Sequence, residues 1–228
     1  MLERYDQLTD RLRAAGDWIA PLGLRLLLAH AFIDAGLNKL DAGSQAPSWF
    51  ANQEFVFPFG LLSANMNWML VTWGEILAGI GIALGLFTRF FALSLIVITA
   101  VAIATVHWPS SWDSLGQLWQ GYSVSRVVED GVFRGNDRIP LLYLAMLVPL
   151  ALLGAGKLSL DQLLLKLTDR SDLIHDRAED SLAIGLGLIL LALICVYLMT
   201  SWAIALLLVG VLLIAWFART HRRSIAGA

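Results

Sequence analysis

The 228-residue chain is 58% hydrophobic and only 15% charged, with a mean hydropathy of +0.70. A soluble domain carries about a quarter charged residues to build a polar surface, so this composition excludes one and places the chain in a membrane. The net charge of −2 gives no reason to expect a nucleic-acid partner, and the single cysteine, Cys195, excludes an internal disulfide, a cysteine-built zinc site and a thiolate-held iron–sulfur cluster.

Residues 1–17 set Leu2, Tyr5, Leu8, Leu12 and Ala15 at helical spacing between charges, the pattern of an amphipathic helix in the membrane interface or of a solvated helix leading into the membrane. The start is acidic and polar, without an apolar core before a cleavage site, so the first span is expected to stay in the membrane. That span, Trp18 to Leu37, is unusually polar: it holds Arg25, His30 and Asp34, with Asn38 and Lys39 at its exit. His30, Asp34 and Asn38 share one face, and Arg25 lies about 140° from His30. Two polar faces predict burial inside a bundle. The loop 38–66 is rich in aromatics, including Trp49, Phe50 and Phe55, which suits the headgroup level, and Pro58-Phe59-Gly60 is read as a turn dipping into the bundle.

Two apolar runs follow back to back, Asn67 to Leu86 and Phe90 to His107, each close to the roughly 20 residues that cross a bilayer as a helix. The first carries Glu75, and the second ends at His107 before Trp108-Pro109. An ionisable group inside an apolar span is costly unless paired or wet, and so marks a candidate site. Glycines 74, 79, 81 and 85 read as close-packing positions. After a polar loop, 108–138, comes a fourth span, Ile139 to Gly156, which Pro149 is expected to kink. Ser159 is a plausible N-cap for a surface helix beginning at Leu160. Leu182 to Phe217 is too long for one crossing and breaks naturally at Thr200-Ser201, giving six spans. The fold class is therefore all-α: a four-helix transmembrane bundle plus a C-terminal helix pair. The domains are an amphipathic segment 1–17, a four-span core 18–165, a linker 166–181 and a hairpin with basic tail 182–228.

Charge orients the bundle. Eleven of the sixteen Lys and Arg residues fall on the side that carries both termini, and four on the other. The positive-inside rule puts both termini in the cytoplasm and loops 38–66 and 108–138 outside, facing the periplasm if the membrane is a bacterial inner membrane. Glu75 then lies about 12 Å, and His30 about 10 Å, below the outer ends of their helices. Arg25, His30, Asp34, Glu75 and His107 are expected to converge in the outer half of the bundle. Arg25 and Glu75 also suit a buried structural ion pair. A haem held by two histidines, or a metal on two histidines and Asp34, has no other residue pattern behind it, and no metal site is assigned.

The order and spacing of several motifs carry a resemblance. Leu24-Arg25-Leu26 with Gly36-Leu37-Asn38-Lys39-Leu40, Phe57-Pro58-Phe59, Trp73-Gly74-Glu75, Gly85-Leu86-Phe87-Thr88-Arg89, the terminal His107 and Gly154 to Asp161 together resemble the DoxX family over residues 18–165. The resemblance implies a four-helix membrane bundle, with a link to the small subunit of thiosulfate:quinone oxidoreductase and to membrane complexes that handle thiol or oxidative stress. The chain has no flavin or nucleotide fingerprint, so no intrinsic cofactor is expected; in electron transfer it would bind a quinone or support a soluble or membrane redox partner. On that reading Glu75 and His107 relay protons, while Arg25, His30, Asp34, Lys39 and Trp108 form the ligand-binding set. A small-solute or ion transporter, and a structural subunit without activity of its own, are the alternatives.

Overall fold

The computed structural model describes residues 2–107, 128–129, 132–133, 138–168 and 180–226. The described residues are helical apart from connecting loops and one short antiparallel pairing, in which Val128 faces Phe133 and Glu129 faces Val132. The chain forms two compact units, Met1–Arg170 and Ser171–Ala228, dividing within the segment read as a linker.

In the first unit, α1 (Leu2–Asp41) runs unbroken through Pro21, without a break between the N-terminal segment and the first span. The side chains on which the amphipathic reading of residues 1–17 mostly rests lie outside the described residues. A short helix, α2 (Ser48–Ala51), and a 3₁₀ turn (Phe59–Leu61) lead into α3 (Ala64–Leu84). Ser63 caps α3, its Oγ accepting from the Met66 amide, and Gly85 ends it at φ 65°. Gly85, read from sequence as a packing glycine, is thus a left-handed helix cap, a conformation glycine adopts without steric cost. Thr88–Ala102 forms α4, which continues through a π-helical turn, Ile103–His107. Arg138–Leu153 forms α5, and Leu160–Leu167 forms α6, capped by the Ser159 hydroxyl at the Gln162 amide as its sequence suggests.

These helices pack as a bundle in which α1 lies on α3 and α5, and α4 on α3 and α5. Leu28, Ile82, Leu95, Ile96 and Leu147 are fully buried at its centre. Gly36 sets the spacing of α1 and α3: a Cβ there would lie 2.6 Å from Ile76 Cγ1 and 3.0 Å from the Thr72 carbonyl, so only glycine allows the two backbones to meet. In the second unit, α7 (Asp180–Leu198) and α8 (Thr200–Ala226) form a hairpin whose turn at Met199 falls beside the expected break. The backbones of Gly185 and Gly210 touch where these two helices cross.

Among the described residues, four segments are long and apolar enough to cross a membrane: Trp18–Asp41, Ala64–Leu84, Thr88–His107 and Thr200–Arg219. Arg138–Leu153 and Ile184–Leu198 are apolar but shorter. The 16 residues of α5 rise about 24 Å, less than the roughly 30 Å hydrocarbon thickness, so this helix is shorter than the full crossing its apolar pattern suggested.

Candidate functional site

A cavity of about 690 Å³ opens between α1, α3, α4 and α5. Its walls are mostly aliphatic and aromatic, and Phe59, Phe50 and Trp49 close one side. The closure is a packed aromatic cluster: Phe50 stacks edge-on against Trp68 at 5.0 Å and lies 4.9 Å from Phe55, while Trp68 Nε1 donates to the Gly43 carbonyl. Phe59 stands at the turn expected to dip into the bundle, and its carbonyl accepts from Asn67 Nδ2 at 3.0 Å. Opposite, Phe32 and Tyr143 meet at 5.4 Å.

Few polar groups enter this apolar space. Lys39 Nζ donates to Glu75 Oε2 at 2.7 Å, and both side chains line the cavity. The pair joins the end of α1 to the middle of α3, at the place where Gly36 lets the helices close. It is half-sealed, with the Lys39 side chain 23% exposed and that of Glu75 9%. Asn67 Oδ1 and Thr99 Oγ1 are buried and accept or donate no hydrogen bond, although both residues line the cavity. Buried polar atoms are nearly always paired, so two orphans on residues that line one apolar cavity are candidates for pairing with a ligand's polar groups. Thr105, by contrast, is satisfied by the Val101 carbonyl. His107 reaches the cavity from the π-helical turn, whose wider winding is a frequent local device at functional sites.

Arg25 lies elsewhere. It is 2% exposed and bonds only to backbone oxygens: Nε to Ile82 at 2.8 Å, Nη2 to Ala83 at 2.7 Å, and Nη1 to Ala155 at 2.9 Å and Leu158 at 2.6 Å. The guanidinium therefore clasps the end of α3 to the loop before α6. Asp161 completes the clasp, its carboxylate accepting from the Phe87 and Thr88 amides at 2.7 and 3.0 Å and its amide donating to the Gly85 carbonyl. A Cβ on Gly85 would meet Arg25 Cζ at 2.7 Å. The motifs around Gly85 and from Gly154 to Asp161 thus serve one structural joint.

The expected convergence of five ionisable residues is corrected accordingly. Glu75 and His107 share the cavity, joined by Lys39. Arg25 neither reaches it nor pairs with Glu75, because the carbonyls freed at the end of α3 lie closer to its helix face. His30 and Asp34 are exposed on the outer face of α1, where Asp34 accepts only from Asn38 Nδ2 of its own helix at 3.2 Å. Trp108 lies outside the described residues, together with most of the loop that follows it and with Arg170 and Arg177. Among the described residues no group of three His, Cys, Asp or Glu side chains converges to hold a metal ion. Asn67, Thr99 and Tyr143 escaped the sequence reading, which weighed charged groups above amides and hydroxyls. A polar side chain on the same helix face as Glu75 or His107 was the available signal.

This arrangement suits a flat, largely apolar molecule with a few polar substituents, held near a carboxylate able to take up a proton. The sequence pattern of the DoxX family matches residues 20–108, from the start of the first crossing to just past His107. An uncharacterised protein of Haemophilus influenzae is 34% identical over 158 residues, covering 68% of this chain and 90% of that protein. No solved structure matches the chain. The chain is a membrane protein that belongs to the DoxX family.

Proposed function

We propose that the protein is a quinone-binding subunit of an inner-membrane oxidoreductase system, crossing the membrane six times with both termini in the cytoplasm. The observation that carries this reading is the cavity: about 690 Å³, walled by aromatic and aliphatic side chains, with two unpartnered polar atoms and one carboxylate–ammonium pair. Sites for drug-sized ligands are of this size and makeup, apolar with a few placed polar groups. A quinone head is a flat ring with opposed oxygens and fits such walls. Bound there, it would supply two-electron, two-proton chemistry.

The chain's own residues divide the remaining work. Thr99 Oγ1 donates to a carbonyl oxygen of the ring or accepts from its hydroxyl, and Asn67 Oδ1 accepts from a hydroxyl. Lys39 fixes the Glu75 carboxylate at the cavity wall, where it would take up a proton and hand it to the ring as the ring is reduced. His107, at the end of its helix, would bring that proton in from the outer face. Phe50, Phe59 and Trp49 keep bulk water from the ring. Electrons come from a soluble or membrane partner that holds a redox group.

The six-span reading draws support from the asymmetry of Lys and Arg and from the apolar helices α5 and α7, the shorter of which, α5, a locally thinned bilayer accommodates. Organic extraction of the protein purified in mild detergent tests the function. A bound quinone, or saturable binding of a short-chain quinone that Glu75→Gln with Thr99→Val abolishes, is expected. Protein that carries no quinone and shows no affinity for one overturns the proposal.

A further inference from the structure

The polar face of α1 has no role in the cavity. His30 and Asp34 are exposed, and His30 makes no hydrogen bond to any described residue. His30 stands twelve residues from Trp18 and eleven from Asp41, the ends of the first crossing, which puts it near mid-depth. A histidine and an aspartate turned to hydrocarbon at that depth cost several kcal/mol, and such residues face protein or water instead. The other faces of α1 are already covered, by α3 and α5.

The exposed face has a seven-residue repeat. Gly16, Gly23, His30 and Leu37 follow one line along the helix, and Ala20, Leu27, Asp34 and Asp41 the line beside it. That spacing is the seam of two helices crossing at about 20°. A Cβ on Gly23 would meet nothing within 4 Å, so the backbone there is open to close approach by another helix.

The face also fits itself. It carries a hydrogen-bond donor, His30, and an acceptor, Asp34, one turn or about 6 Å apart. Two copies of one chain share a topology, so their first helices necessarily run parallel. In a parallel seam each residue packs level with its counterpart and one turn from the residue four positions on. We propose that two copies of this chain pair through the Gly23–His30–Asp34 face of α1, each His30 bonding Asp34 of the other copy. Both ionisable groups are then satisfied and shielded from lipid, and the cavity of each copy stays on the far side of α1 from the seam.

Disulfide cross-linking in native membranes tests this without disturbing the polar pair. In a chain carrying Cys195→Ser, oxidation of Leu27→Cys is expected to give a covalent dimer, whereas Leu77→Cys, also exposed but on α3, gives none. Absence of a dimer from Leu27→Cys, or equal cross-linking at both positions, overturns the proposal. A second measurement uses the uncross-linked protein in detergent. Replacing His30 and Asp34 together by alanine is expected to weaken dimerisation about tenfold, from two interhelical hydrogen bonds of modest strength. Exchanging the two, His30→Asp with Asp34→His, is expected to restore it. A full-length protein that is monomeric in mild detergent and in membranes alike also overturns it.

Discussion

At the residue scale, the cavity turns on a few polar atoms whose removal has opposite effects. Lys39→Ala leaves the Glu75 carboxylate buried without its ammonium, and breaking a buried pair from one side destabilises by about 3 kcal/mol. A lower thermal unfolding temperature in detergent is the expected readout. Thr99→Val behaves otherwise. It deletes a buried hydroxyl that bonds to nothing, so stability should hold or rise, while quinone affinity falls about five- to tenfold for one lost hydrogen bond. A fall in stability without a change in affinity would show the hydroxyl to be structural. Much of this site was legible in the sequence. Glu75 and His107 stood out because charge is rare in apolar spans, and Lys39 because it closes the first one. Arg25 was misplaced because sequence shows that a buried cation needs partners but not whether they are carboxylates or carbonyls. Asn67 and Thr99 were missed for a related reason: amides and hydroxyls are common in membrane helices, and only an orphaned one carries meaning.

Among the elements, the joint between α3, α4 and α6 is the part most sensitive to small changes. Gly85→Ala places a methyl against the Arg25 guanidinium at a backbone angle that alanine disfavours, and should cost about 1–3 kcal/mol. Asp161→Ala uncovers the first amides of α4 and should cost about 1 kcal/mol, the usual loss when a helix cap is removed. Thermal unfolding checks both, and quinone affinity should change little in either, because the joint lies outside the cavity. Exchanging Arg25 with Glu75 should abolish folding, since a carboxylate facing the carbonyls of Ile82, Ala83, Ala155 and Leu158 is repelled by each of them. Helix existence and most turns were readable from apolar runs, capping serines and glycines. Whether each run is long enough to cross was not, because α5 stops at Leu153, before Gly154 at φ 84°, and the apolar letters run on past it.

For the molecule as a whole, the division into two units means that the cavity is complete within the first. A chain ending at Arg170 should keep quinone affinity within about threefold, as expected for a site whose every wall belongs to one unit. Ligand-dependent thermal shifts in detergent measure this; loss of binding would make the hairpin part of the site. The clasp at Arg25 also bears on biogenesis. The first crossing reaches the membrane with a cation whose four acceptors lie 57 to 133 residues further along the chain. Until α3 and the loop before α6 have been synthesised, that cation has no internal partner, and the helix is held back at the insertion machinery or its arginine stays drawn toward the interface. The order of synthesis thus becomes an order of assembly, in which the first helix inserted is the last to be locked.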